Sequence, residues 1–246
     1  MGELIAILSG KGGTGKTSVC AAIATALAAD GKKVLCIDCD VGQRNLDISL
    51  AMSDSGALNF MDVCLGTYEL SQASEHPHFP GLYFLTAPGN CQADSIDREQ
   101  FGEFMWDAKR EFDYILLDAP AGVEAGFKLA ASFADRCIVV TGPGPASVRD
   151  ASRVGDLLEL MGKTNVRLIV NRVSNRLVAA TATTVDDVMD MAGLPLLGVV
   201  LEDPNVTLAA THNRPLLMYN CRSAAATACT RISKRLQGQP VPISLR

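Results

Sequence analysis

No apolar stretch in this sequence reaches the ~18 residues that a membrane-spanning helix requires. The opening Met1-Gly2-Glu3-Leu4-Ile5 lacks the basic region and long apolar segment of a secretory signal. Ala6 stands where an N-myristoylation motif has Ser or Thr. Gly-X-Y and heptad periods are missing, which excludes a collagen-like or coiled-coil rod. With 48% hydrophobic residues the chain is also too apolar for a disordered one. What remains is a globular chain of 246 residues, expected in the cytoplasm and long enough to bury a sizeable core.

Zinc-site spacing is missing as well. Eight cysteines occur, but Cys36-Ile37-Asp38-Cys39 has no second pair, and Cys36 lies in an apolar run. In a cytosolic chain such cysteines read as small buried hydrophobes. Charge is uneven around the net value of -5: residues 1–150 carry 11 basic and 20 acidic side chains, and residues 151–246 carry 11 and 7. No acidic residue follows Asp203, whereas Arg214, Arg222, Arg231, Lys234, Arg235 and Arg246 do. This basic end is either a solvated face or a contact for an anionic surface.

Short apolar runs alternate with amphipathic stretches. Strands are expected at Leu4–Leu8, Val34–Ile37, Leu82–Leu85, Tyr114–Leu117, Cys137–Val140, Leu168–Val170 and Leu197–Leu201. Helices are expected at Thr17–Ala29 and near 58–65, 97–111, 124–133, 146–161, 184–192 and 222–236. Continuous apolar strands separated by helices imply a mostly parallel sheet covered on both faces. No linker or internal repeat interrupts the pattern. The fold class is α/β, a single doubly wound domain over 1–246. His76-Pro77-His78 reads as surface, and Val188, Met189 and Met191 read as core.

The most informative segment is Gly10-Lys11-Gly12-Gly13-Thr14-Gly15-Lys16-Thr17, which fits G-x-x-x-x-G-K-[ST] between a strand and a helix. Glycines let backbone N–H groups turn toward phosphate oxygens, and the helix that follows aims its positive end at them. In such loops the lysine, here Lys16, meets the β- and γ-phosphates, and the hydroxyl, here Thr17, ligates Mg²⁺. Ser18 extends the set of expected nucleotide contacts. Two acidic constellations follow. Asp38-Cys39-Asp40 ends the second strand, where open α/β sheets bind ligands, and is either a loop-capping set or a Mg²⁺- and water-handling one. Tyr114-Ile115-Leu116-Leu117-Asp118 is an apolar strand ending in Asp, a place from which a carboxylate holds Mg²⁺ through water.

Lys11 is not required by the general phosphate-loop pattern. With it, Lys11 through Thr17 resembles the deviant Walker A loop of the MinD/ParA ATPases. That resemblance implies a lysine acting in trans within an ATP-bound sandwich dimer. The run Asp38 to Asp47 is similar to the switch I of the family's MinD branch, D-x-D-x-G-x-R-N-L-D. It implies that Asp40 places the nucleophilic water and that Arg44, Asn45 and Asp47 face the dimer or a partner. Asp118-Ala119-Pro120-Ala121-Gly122-Val123-Glu124 resembles that branch's switch II and implies that the Gly122 N–H approaches the γ-phosphate. Asn171 resembles the base-reading asparagine, and Glu202-Asp203-Pro204 the adenine-side loop; as a loop residue, Asn171 is equally a turn former. Ser147-Val148-Arg149-Asp150 resembles a dimer-face segment, and also suits a helix N-terminus capped by Ser147.

The resemblance runs from Ile5 to about Leu236, with residues 68–80 outside any family pattern. It implies a slow ATPase that uses ATP and Mg²⁺, dimerises when ATP-bound, answers to protein partners and acts in septum placement. The acidic net charge disfavours sequence-specific nucleic-acid binding. A ParA-like partition or polar-positioning ATPase is the alternative. An electron-transfer protein of the nitrogenase iron-protein type would need Cys91 and Cys137 as cluster ligands, yet Cys137 sits in an apolar strand. A nucleotide-gated scaffold without hydrolysis sits poorly with Lys11, Lys16, Asp40 and Asp118 occurring together. Beyond Gly238, Pro240 and Pro242 forbid a regular helix, and Val241, Ile243 and Leu245 alternate as an extended strand would. Residues 237–246 are therefore read as an extended tail. Contact with the inner face of the membrane is expected to be weak or indirect.

Overall fold

Among the described residues eight strands form the sheet: β1 (Glu3–Leu8), β2 (Val34–Asp38), β3 (Ser74–Glu75), β4 (Leu82–Leu85), β5 (Tyr114–Asp118), β6 (Arg136–Thr141), β7 (Val166–Val173) and β8 (Leu196–Leu201). The computed structural model describes residues 1–41, 43–53, 55–89, 96–174 and 184–243. The strand order is β3-β4-β2-β5-β1-β6-β7-β8. All neighbours are parallel except the short edge strand β3, which runs antiparallel to β4.

Burial on both faces explains the continuous apolar runs. Along β1, Leu4, Ala6 and Leu8 enter one core, and Ile5 and Ile7 enter the other. The first core is covered by α3 (Phe60–Cys64), α4 (Arg98–Glu111), α5 (Ala125–Phe133), α6 (Pro145–Leu160) and α7 (Val185–Ala192). The second is covered by α1 (Lys16–Ala29), α2 (Leu46–Leu50), α8 (Pro204–Thr211), α9 (Leu216–Asn220) and α10 (Ala224–Leu236). Helix α1 is buried nearly all round, which its alanines permit. Gly198 lets α10 pack tightly on β8, since a Cβ there would stand 2.4 Å from Ile232 Cγ1. This is the doubly wound α/β architecture expected, with β1 at the point where the strand order reverses.

Several expectations need correction. His76 is buried rather than on the surface. Its Nε2 contacts the Leu50 carbonyl at 2.9 Å, and its Nδ1 accepts the His78 and Phe79 amides. Those bonds require the neutral ring with the proton on Nε2, and burial holds its pKa below the usual value. Met191 is 56% exposed, while Val188 is core and Met189 packs against it. Helix α6 is capped by Gly144 with Pro145 in its first turn, not by Ser147, because proline suits that position. The alternation of Val241 and Ile243 makes no strand. Arg235 instead binds the Val241 and Pro242 carbonyls at 2.8 and 2.6 Å, turning the chain back onto α10 after Gly238 at φ 79°. Residues 244–246, with Leu245 and Arg246, lie outside the described residues.

Candidate functional site

The C-terminal ends of β1, β5, β2 and β7 converge on one edge of the sheet. The phosphate loop fills the turn from β1 to α1. Gly13 and Gly15 both adopt φ near 80°, and a Cβ at Gly15 would also lie 2.3 Å from Asn171 Nδ2. Neither position accepts another residue without strain. Gly10 abuts α6, where a Cβ would lie 2.8 Å from Asp150 Cβ. By contrast, a Cβ on Gly12 or Gly13 would meet nothing within 4 Å, so the outer side of the loop is open. The Thr14 hydroxyl is buried and has no hydrogen-bond partner among the described residues.

Parallel pairing places Asp38, the last residue of β2, in register with Asp118, the last of β5. Lys16, at the first turn of α1, reaches Asp118 Oδ1 at 2.6 Å, with both side chains buried. Burial raises the pKa of Asp118, while Lys16 and Thr17 oppose that rise. Burial, and next the charge of Asp118, push Asp38 up to about 7. Asp38 accepts the Asp40 amide at 2.9 Å and the Leu46 amide at 3.1 Å, so one carboxylate fixes both ends of the segment between β2 and α2. Asp40 Oδ1 in turn accepts the Gln43 amide at 3.2 Å. Gly42 lies outside the described residues.

Within that segment Arg44 and Asn45 are exposed. Arg44, at φ 47°, donates to Thr86 Oγ1 at the end of β4. Lys11 is partly exposed, and the Ser9 hydroxyl donates to its carbonyl. The Gly122 N–H, expected to face phosphate, donates in this conformation to the Ser9 carbonyl at 3.0 Å. Ser9 thus bonds both the phosphate loop and the segment after β5.

Beside the loop, a cleft of about 610 Å³ is lined by Gly15, Ser18, Asn171, Glu202, Asp203 and Pro204, among others. The expected base-side residues therefore do gather. Asn171 donates its side-chain amide to the Thr14 carbonyl at 2.8 Å. Asp203 is occupied structurally: it caps α8 through the Asn205 amide and accepts the Ala225 amide at the start of α10. Burial lifts its pKa, but those hydrogen bonds outweigh it and hold the carboxyl below its usual range. Arg172, which the sequence did not single out, binds the Gly13 carbonyl at 3.1 Å and approaches Glu202 at 3.8 Å. Asp38 was noticed only as a member of an acidic run; its place as the last strand residue was the available sign of its burial.

No group of His, Cys, Asp or Glu among the described residues is arranged as a metal centre of the multi-ligand kind. Cys137 is buried inside β6, and Cys91 lies outside the described residues.

A loop whose Gly13 and Gly15 take positive φ, a buried lysine at the following helix and two carboxylates at adjacent strand ends define a P-loop nucleoside triphosphate-binding protein. Residues 5–216 match the family model for the CobQ/CobB/MinD/ParA nucleotide binding domain. The septum site-determining protein MinD of Bacillus subtilis is 38% identical over 251 residues, covering 100% of this chain and 92% of that protein. A chain of the MinC:MinD cell division protein complex from Aquifex aeolicus superposes with a TM-score of 0.91 at 36% identity, over 98% of each chain. MinD of Pyrococcus horikoshii complexed with Mg-ADP does so with a TM-score of 0.83 at 30% identity, over 96% of each. This chain belongs to the MinD/ParA nucleotide-binding family, as a P-loop ATPase of the MinD type.

Proposed function

We propose that the protein is an ATP-driven dimerisation switch that acts in division-site placement. The observation that carries this reading is the cluster of Lys16, Thr17, Asp118, Asp38 and Asp40 under a loop that also bears Lys11. The site suits a triphosphate with Mg²⁺. The open side of Gly12 and Gly13 leaves room for phosphate oxygens, and the unpartnered Thr14 hydroxyl supplies a further polar group. Thr17, next to Lys16 and close enough to lower the pKa of Asp118, would share a cation with that carboxylate, directly and through water respectively, with Asp40 as a further water-borne ligand. Mg²⁺, when bound, would neutralise the oxygens of the transferring phosphoryl group.

In this reading Lys16 exchanges Asp118 for the β- and γ-phosphates of ATP. Asp40 orients the water that attacks the γ-phosphorus while the bond to the bridging oxygen breaks, leaving ADP and phosphate. Lys11 reaches the partner protomer's phosphates and stabilises the developing charge, as arginine fingers do. Ser18 and the cleft beside it take the adenosine moiety. Asn171 and the Glu202–Pro204 loop face the base, with Asp203 acting through its grip on two helix starts rather than as a free acceptor. Hydrolysis then dissolves the dimer.

Partner proteins would read the ATP-bound dimer through Arg44, Asn45 and Asp47, a MinC-type partner being the first to try. Residues 1–246 work as one ATPase domain. Among the described residues no helix is long and apolar enough to cross a membrane. Residues 239–243 are held back against α10 by Arg235, so lipid contact rests on the basic C-terminal face and is weak. The test is light scattering of the Asp40→Ala protein with ATP and Mg²⁺. A stable dimer is expected; an ATP-loaded monomer at all concentrations would sink the switch.

A further inference from the structure

The segment 63–71, which overlaps the stretch that followed no family pattern, forms one wall of a groove that the nucleotide site does not use. The other wall is α4. The groove measures about 690 Å³ and lies on the sheet face opposite α1. Its floor is apolar, made by Val63, Leu70 and Phe104, and its rim carries Glu69, Glu103, Asp107 and Glu111 against Arg110 alone.

Part of that rim charge is committed. Glu69 holds the turn at Leu70–Gln72 and accepts from Ser71, and Asp107 stands 3.9 Å from Arg110. Glu103 and Glu111 are exposed and have no partner among the described residues. The edges are unusually apolar for a solvated face. Tyr68, on one wall, is 41% exposed, and just outside the lining Leu65, between Cys64 and Gly66, and Trp106, next to Asp107 on α4, are each 58% exposed. Acidic side chains around an apolar trough complement one kind of occupant: a segment that pairs apolar anchors with lysine or arginine. An anionic lipid surface would be repelled by the same rim.

We propose that this groove is the docking site for a basic amphipathic segment of a protein partner, seated with its apolar side chains on Tyr68 and Val63 and its cations over Glu103 and Glu111. The proposal does not depend on the role assigned to the nucleotide site.

Trp106 is the single tryptophan of the chain and precedes Asp107, which lines the groove, so it reports binding beside it without a label. The probe is a synthetic 14-residue helix of alternating Leu and Lys clusters, free of aromatics, titrated into the full-length protein. A saturable blue shift of Trp106 emission is expected, with affinity falling at least tenfold in the Glu103→Lys/Glu111→Lys protein. Unchanged ATP binding in that variant shows it is folded. Glu103→Gln/Glu111→Gln, a milder change, should fall between the two. Any of three results overturns the proposal: no shift with the wild-type protein, equal affinity for the charge-reversed variant, or equal affinity for a Lys/Ser peptide without apolar anchors.

Discussion

Replacing Asp38 with Asn should change how stability depends on pH more than it changes stability itself. The carboxyl is 1% exposed and its pKa is about 7 in the folded chain, because burial and then Asp118 disfavour its charge. In the unfolded chain it titrates near 3.8. Between these values the folded state binds more protons than the unfolded one. Stability from this group is therefore fully present below about pH 3.8 and is lost as pH rises through about 7. The whole span is worth on the order of 4 kcal/mol, and the part between pH 5 and pH 8 about 2–3 kcal/mol. Asparagine cannot ionise, so it removes this loss. It also cannot accept both the Asp40 and the Leu46 amides, a pH-independent cost of about 1 kcal/mol. Urea unfolding of both proteins with EDTA and without nucleotide, at pH 5 and pH 8, isolates the effect. The wild type should lose about 2–3 kcal/mol more than Asp38→Asn over that interval. Parallel pH profiles would refute the assignment of a protonatable, buried Asp38.

Lys16→Ala should weaken ATP binding by about 1.5–3 kcal/mol, roughly 10- to 150-fold by calorimetry; near-native affinity would remove Lys16 from the phosphate site. Lys11→Ala should bind ATP as a monomer but fail to dimerise, and lose ~10³-fold or more in hydrolysis, whereas Asp40→Ala should bind, dimerise and stall. An ATP dimer of Lys11→Ala that turns over normally would refute the role in trans. Co-sedimentation of the ATP-locked dimer with anionic liposomes should be weak and fade as salt is raised past physiological strength. Strong, salt-resistant binding that disappears on removing residues 237–246 would show that the tail carries the membrane contact.

The strands were legible because burial on both faces leaves a continuous apolar run, as in Val34–Ile37 and Tyr114–Leu117. The phosphate loop was legible because its glycines, lysine and hydroxyl are contiguous in sequence. What failed to show depends on distant partners. His76 finds the Leu50 carbonyl 26 residues upstream, and Asp203 finds the Ala225 amide 22 residues downstream. Nothing near either residue signals that bond. Helices α2 and α9 have five residues each, too few to display a helical period. Val241 and Ile243 showed a strand period, but with prolines at 240 and 242 and the Val241 and Pro242 carbonyls drawn to Arg235 no strand forms.

Lys16 and Asp118 serve as each other's stored counter-ion. Parting a buried pair is expensive when one member is left bare. A phosphate oxygen can replace the aspartate for Lys16, and a hydrated cation can replace the lysine for Asp118. Either replacement alone strands the other charge; both together strand none. Nucleotide and metal are therefore thermodynamically linked through one ion pair, so Mg²⁺ should tighten ATP by the same factor that ATP tightens Mg²⁺. Asp118→Asn, which leaves no anion to strand, should shrink that factor even where it leaves ATP affinity without metal unchanged or improved.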